Sequence, residues 1–135
     1  MRTTSTLIAL AIAFVSGATH AQESGFRPIT DEAAFVSQVA QKNLRLPLFK
    51  VELRVQADGS ILGEAMGKPV TGSWQWKDGT FCREMQWGNE TIAHNCQLVE
   101  VAEGKVRFTL NGGKGDSATV KAPPTEVRGL PLFSA

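Results

Sequence analysis

The hydrophobic pattern of the chain changes near residue 48, from a helical period to the period of a β-strand. Residues 49–56 (FKVELRVQ) alternate strictly between apolar and polar side chains, which places the apolar ones on one face of a half-buried strand. Further short apolar stretches follow at intervals of roughly 8–12 residues. They predict six more strands, over residues 61–66, 70–76, 80–87, 91–101, 106–110 and 118–122.

Short turn sequences separate these strands and indicate how they pair. Asp58-Gly59 and Asp78-Gly79 are hairpin signals, because Asp and Gly tolerate the positive φ angles of tight β-turns. The connections leave no room for helical crossovers, so the sheet is predicted to be an antiparallel meander. Its strands must curl or split to bury one face. We predict a mainly β fold, a small up-and-down barrel that is complete or incomplete, with a β-sandwich as the alternative.

The segment before the strands has the pattern of one short amphipathic helix. Thr30 is the candidate N-cap, and acidic residues 31 and 32 suit the positive end of the helix dipole. Apolar residues 35, 36, 39 and 40 follow at helical spacing. Pro47 disfavours helix at the residue before it, so the helix is predicted to end near residues 42–43. We expect this helix to cover an opening of the barrel.

The N-terminus has the features of a secretory signal peptide. Arg2 supplies a positive charge, residues 7–15 (LIALAIAFV) are uniformly apolar, and small residues precede Ala21, which predicts cleavage after Ala21. The apolar run is much shorter than the ~20 residues that span a bilayer. A buried or membrane-anchoring N-terminal helix is the alternative. The chain is thus divided into a signal peptide (1–21), an arm and helix (22–47), a β domain (48–122) and an extended tail (123–135).

Charge and length exclude several classes of function. The full chain has 14 basic and 13 acidic residues, and loss of Arg2 with the signal peptide makes these numbers equal. Such a chain has no basic field that would attract nucleic acid. It is also too short for a dinucleotide-binding domain with a separate substrate domain. We therefore expect one exported domain, periplasmic or secreted, without nucleic-acid partners, cofactors or a membrane span after cleavage.

Two cysteines lie symmetrically about a predicted turn. Cys82 and Cys96 are equally distant from residue 89, at the centre of a three-residue loop predicted at 88–90. They would therefore face each other across a hairpin, and an exported chain meets oxidising conditions, so we predict a disulfide. The alternatives are a reactive cysteine activated by His94, or a zinc site of Cys82, His94 and Cys96. Oxidation would consume two of the three zinc ligands, so no metal site is predicted.

All three tryptophans, Trp74, Trp76 and Trp87, lie within 14 residues of each other. A two-residue turn at 78–79 would pair Trp74 with Arg83, whereas a three-residue loop would pair it with Cys82. Large rings in a small domain are typical of a core. The alternative is an aromatic wall in which Arg83 meets a polar or anionic ligand group. On this second interpretation the candidate ligand-binding residues are Trp74, Trp76, Arg83 and Trp87.

Four segments of the chain carry a resemblance to a known group of proteins. They are residues 72–83 (GSWQWKDGTFCR), 95–99 (NCQLV), 104–108 (GKVRF) and 113–116 (GKGD). Over roughly residues 49–122 the chain resembles a group of small secreted single-disulfide bacterial proteins, most of them without an established function. The resemblance implies secretion, the disulfide and the sheet. Some of these proteins are labelled dihydrodipicolinate reductase, but this chain has no G-x-G-x-x-G between a strand and a helix to support that chemistry.

These observations predict an exported, non-catalytic binding protein for a small molecule or a protein partner, acting through the tryptophan-rich hairpin. A protein inhibitor or envelope interaction module acting through the loop at 111–117 is the first alternative. An enzyme that uses His94 is the second. No catalytic residue is predicted. A cavity lined by the tryptophans would favour the binding protein, and a filled core with a protruding loop would favour the inhibitor.

Overall fold

The described part of the chain is a closed antiparallel β-barrel with one helix of seven residues and a four-residue helical turn. A computed structural model describes residues 25–123, and these contain nine strands, the seven-residue helix α1 (Glu32–Gln38) and the helical turn α2 (Leu110–Gly113). The strands are β1 (Arg27–Pro28), β2 (Asn43–Leu46), β3 (Val51–Val55), β4 (Ser60–Ala65), β5 (Lys68–Lys77), β6 (Thr80–Trp87), β7 (Glu90–Ala102), β8 (Lys105–Thr109) and β9 (Ser117–Lys121).

Strands β2 to β9 follow one another around the barrel in chain order, and β9 pairs with β2 to close it. The predicted up-and-down barrel is therefore confirmed and is complete, and the sandwich alternative is excluded. β1 is an additional strand that pairs with β7 at residues 100–101, beyond the part of β7 that β6 covers. It leads the chain to one end of the barrel.

The N-terminal part differs in detail from the prediction. The N-cap is Asp31 rather than Thr30, because Asp31 Oδ1 accepts a hydrogen bond from the Ala34 amide at 2.8 Å. α1 ends at Gln38 instead of near residue 42. The chain turns at Gln41, whose φ is +66° and whose amide donates to the Val55 carbonyl at 2.7 Å. That turn begins β2, a strand inside the segment predicted as arm and helix.

Two inward-facing glycines allow the sheet to curl tightly. Gly63 on β4 and Gly72 on β5 lie against the neighbouring backbone, and a Cβ atom at either position would overlap a carbonyl oxygen, that of Glu52 or of Glu84. A side chain there would push the strands apart. Glycine at such positions lets a sheet bend sharply enough to close into a barrel.

α1 closes one end of the barrel and supplies the centre of its core. The chain crosses this end from β7, where the Ile29 amide donates to Val99, to β3, where the Gln41 amide donates to Val55. Between these points Phe35 is fully buried. Its ring centroid lies 5.0–5.2 Å from those of three rings on the β5–β6 hairpin, Trp74, Trp76 and Phe81. The predicted helix therefore covers the barrel and fills its interior with an aromatic ring.

Candidate functional site

The tryptophan-rich hairpin has the two-residue turn. Asp78 and Gly79 have φ angles of +51° and +74°, as the primed turns of β-hairpins require. Trp74 consequently pairs with Arg83, and Trp76 with Phe81. Alternation along the strands then directs all four predicted ligand-binding side chains, on β5 and β6, to the inner face of the barrel.

Trp74 and Trp76 form part of the aromatic cluster around Phe35. Trp74 is only 4% exposed, and its ring lies 5.8 Å from that of Phe81. Its indole Nε1 donates to the Gln56 carbonyl at 2.7 Å, which satisfies the one polar atom of the side chain. Trp76 is half-buried against the same Phe35 ring. These contacts are those of core residues, and ligand binding by them stays a prediction.

Arg83 and Trp87 lie further along β6, towards the barrel end opposite α1. Arg83 is 8% exposed, and its Nη1 donates to the Ala93 carbonyl at 2.6 Å. Burial lowers the pKa of its guanidinium below the ordinary value for arginine. Trp87 is half-buried, donates from Nε1 to the Ala65 carbonyl at 2.7 Å, and has the Lys68 ammonium 4.6 Å from its ring. The structure therefore brings Trp74 and Trp76 together and holds Trp87 apart from them.

The Cys82–Cys96 disulfide is present, across β6 and β7, with the Cα atoms 3.9 Å apart. The prediction of a three-residue loop at 88–90 is wrong, because Trp87 pairs with Glu90 across a two-residue turn. A β-bulge restores the register of the cysteines. In this bulge Glu84 faces two residues of β7, Ala93 and His94, instead of one.

The bulge region places His94 beside the disulfide on the outer face of the barrel. One ring nitrogen of His94 and the two sulfur atoms all lie within 4.8 Å of one another. A pocket of about 130 Å³ is open next to them, and its lining includes Cys82, Glu84 and His94. Of the residues singled out in the sequence, these cysteines and this histidine form the closest chemical cluster.

The loop predicted as an interaction element folds back onto the barrel. Asn111 and Asn95 form two hydrogen bonds, one from Asn95 Nδ2 to Asn111 Oδ1 at 2.8 Å and one from the Asn111 amide to Asn95 Oδ1 at 3.0 Å. Gly113 lies against the Leu98 side chain. These contacts attach the loop to β7, although six of its seven residues are exposed, and a function of this loop stays a prediction.

An exposed apolar surface lies at the barrel end opposite α1. It is a groove of about 610 Å³, which we call the apolar groove, and Leu48, Phe49 and Met66 supply its apolar side chains. These three are 83%, 51% and 60% exposed. Leu48 and Phe49 belong to the 3₁₀ turn that joins β2 to β3, and Met66 is in the turn between β4 and β5. Two adjacent turns thus present large apolar side chains to solvent.

The wall of the apolar groove carries two acidic side chains and one basic side chain, Lys50. Glu52 on β3 and Glu64 on β4 pair directly across the two strands and line the groove together. Like charges in this arrangement repel each other. Arg45 forms an ion pair with Glu52 at 3.4 Å, whereas within residues 25–123 no Lys or Arg forms one with Glu64.

The hydrophobic pattern does not predict this groove. It places Phe49 in an alternating strand and Met66 at a strand end, although both lie at turns. The signal that could have revealed them is local composition: apolar residues occupy positions next to Pro47 and Gly67 where turns ordinarily carry polar side chains.

No family model, curated protein or solved structure matches the chain. Within residues 25–123, none of the helical segments has the length and apolar character that crossing a membrane requires. The disulfide is compatible with an extracellular or periplasmic location.

Proposed function

We propose that this protein is an exported, non-catalytic binding protein that recognises a protein partner through the apolar groove. The observation that carries the proposal is the conformation and exposure of Met66. This residue is the first of the two-residue turn Met66-Gly67, its backbone is left-handed with φ +51°, and it is 60% exposed. The two-residue hairpin turn requires this conformation but does not require a methionine, so an exposed apolar residue there indicates a function other than forming the turn.

Met66 is a poor choice for this turn on local grounds alone. A left-handed conformation costs most side chains about 1–2 kcal/mol, whereas Asn and Gly adopt it readily. An exposed methionine does not recover that cost by packing inside the barrel. A partner that buries Met66 would recover it, because burial of one large apolar side chain contributes about 1.5–3 kcal/mol. Leu48 and Phe49 lie close enough to be buried by the same partner.

The charge of the groove indicates the chemistry of the partner. A partner side chain of Lys or Arg next to an apolar one would meet Glu64 and relieve its repulsion with Glu52. Lys50 lines the same groove, but within residues 25–123 it forms no ion pair with Glu64. We therefore infer a protein segment in which apolar residues are flanked by a basic one.

The positions of the other candidates support this choice. Trp74 and Arg83 are buried inside the barrel, whereas the groove side chains are already exposed to a partner. The predicted signal peptide and the disulfide support export to the periplasm or the exterior. We place the binding surface at the groove for these reasons.

Site-specific photo-crosslinking in the exporting cell tests the proposal. A photoreactive amino acid replaces Phe49 in one variant and Met66 in another, and Thr71, exposed on the outer face of β5, is the matched control. We expect the same protein adduct from positions 49 and 66 and none from position 71. Adducts made only of this chain or only of lipid would overturn the proposal, as would the absence of any adduct at both groove positions.

Binding of the identified partner to purified variants then separates stability from recognition. Met66→Asn should stabilise the fold by about 1 kcal/mol, because Asn tolerates the left-handed turn, and should weaken binding at least tenfold. Glu64→Lys should weaken binding through charge without lowering the melting temperature, because it replaces the repulsion with Glu52 by an attraction. Met66→Asn that binds as tightly as the unmodified protein would contradict a role for this side chain in recognition.

A further inference from the structure

The cluster at the β-bulge has a geometry that the disulfide alone does not explain. Cys82, Cys96 and His94 lie on two paired strands, and their ligand-type atoms are within 4.8 Å of one another. In a tetrahedral zinc site, metal–sulfur bonds of about 2.3 Å and metal–nitrogen bonds of about 2.0 Å put neighbouring ligand atoms roughly 3.3–3.8 Å apart. Small side-chain movements would therefore bring these three atoms onto one cation.

Oxidation state decides whether this cluster can hold a metal. The sulfur atoms of a disulfide carry no negative charge and are weak ligands, whereas thiolates bind soft and borderline cations strongly. Two thiolates and a neutral imidazole would balance the charge of Zn²⁺. The same set would also suit Cu⁺, because thiolate sulfur selects it.

We propose that reduction of the Cys82–Cys96 disulfide converts this cluster into a binding site for a d¹⁰ cation, Zn²⁺ or Cu⁺, with His94 as the third ligand. The reductant is a dithiol. One of its thiolates attacks a disulfide sulfur, which breaks the Cys82–Cys96 bond, releases one cysteine and forms a mixed disulfide with the other. The second thiolate attacks the reductant's own sulfur in that mixed disulfide and releases the second cysteine, so the reductant leaves as a disulfide and two electrons and two protons have passed to the cysteines. The cation then displaces both thiol protons and binds the two sulfurs and the imidazole.

The surroundings of the cluster suit both steps. His94 is exposed and Cys96 half-buried, so an external dithiol can approach the bond from the outer face. Glu84 lines the same pocket as Cys82 and His94, and its carboxylate can complete the four ligands that zinc prefers. This site shares no residue with the apolar groove.

Metal titration of the two redox forms tests the proposal. The exported protein is reduced with a phosphine, freed of reductant without oxygen, and titrated with Zn²⁺ or Cu⁺ against a chromophoric chelator. We expect one cation per reduced chain and none per oxidised chain. Co²⁺ bound in place of zinc should show a thiolate-to-metal charge-transfer band. The near-ultraviolet circular dichroism of the loaded form should match that of the oxidised protein, which shows that the barrel is folded around the ion.

Single substitutions distinguish this site from two thiols acting alone. His94→Ala should weaken binding of the cation at least tenfold. Glu84→Gln should weaken the binding of Zn²⁺ and leave the binding of Cu⁺ unchanged. Gln86→Ala is the matched control, because Gln86 is exposed on the same face of β6 outside the pocket, and it should change neither affinity. The proposal is overturned if the reduced protein binds no cation, if His94→Ala binds as tightly as the unmodified chain, or if binding occurs only with the circular dichroism of an unfolded chain.

Discussion

Replacement of Trp74 by Ala should be among the most destabilising single substitutions in this barrel. The ring is 4% exposed and packs on Phe35 and Phe81 at centroid distances of 5.0 and 5.8 Å. Truncation of a buried Trp to Ala costs about 3–5 kcal/mol through lost burial and the cavity that remains. It also removes the indole donor to the Gln56 carbonyl. That carbonyl keeps the Gly59 amide as a second donor, so the lost hydrogen bond adds about 0.5–1.5 kcal/mol.

The two costs overlap, so we expect a loss of about 4–6 kcal/mol, against a total stability of about 5–15 kcal/mol for a typical domain. At roughly 4–8 °C for each kcal/mol in a domain of about 100 residues, the melting temperature should fall by roughly 20 °C or more. Trp74→Phe loses the donor and the smaller part of the ring system, so it should cost about 1–3 kcal/mol. Trp76 is half-buried, so the free energy lost in Trp76→Ala should lie between the losses for Trp74→Phe and Trp74→Ala.

Urea unfolding followed by tryptophan fluorescence and by circular dichroism measures these losses. The two signals should change together, as they do when a small domain unfolds in one step. A loss below about 1 kcal/mol for Trp74→Ala would refute the assignment of this ring to the core. The ring would then be available to a ligand, as the alternative interpretation of the sequence predicted.

Three further predictions concern the covalent structure and the curvature of the sheet. Replacement of both Cys82 and Cys96 by Ala should cost about 3 kcal/mol of unfolding free energy for a loop of this length, measured in urea. Gly72→Ala should cost more than about 1 kcal/mol, because its methyl group would overlap the Glu84 carbonyl oxygen; an unchanged melting temperature would contradict this. The intact mass of the exported protein should correspond to a chain that begins after Ala21, and a mass that includes the signal peptide would contradict that cleavage.

Sequence patterns predicted the barrel because each hairpin is defined locally, by its turn residues and by the alternation along its strands. Asp78-Gly79 located a turn but left its length open between two and three residues. The structure has the two-residue turn, and alternation determines which residues share a face. The turn beside the disulfide shows the limit of this reasoning. A three-residue loop and a two-residue turn followed by a bulge both align Cys82 with Cys96. A β-bulge is not marked by particular residue types, so the sequence could not distinguish the three-residue loop from the two-residue turn with a bulge.

The candidate sites were predictable to different degrees for a related reason. Alternation placed Trp74 and Trp76 on one face, but it does not determine which residue packs on that face. In this barrel Phe35 packs there, and it comes from a helix that is distant in the sequence. β2 was missed because four residues are too few to establish a period. Met66 was missed because turns are identified from the residues that favour them, and methionine does not.

The closure of the barrel has a consequence for its motions. β9 and β2 are joined at one residue pair, Arg45 with Lys121, whereas every other pair of neighbouring barrel strands has between four and eight. The two residues of that pair are both cations, and like charges placed opposite each other weaken a sheet. Local opening should therefore begin at this seam, so that the amide protons of β2 and β9 exchange with solvent before those of β5 and β6. Each opening frees two strand edges, and at high protein concentration these edges are where two chains would exchange strands.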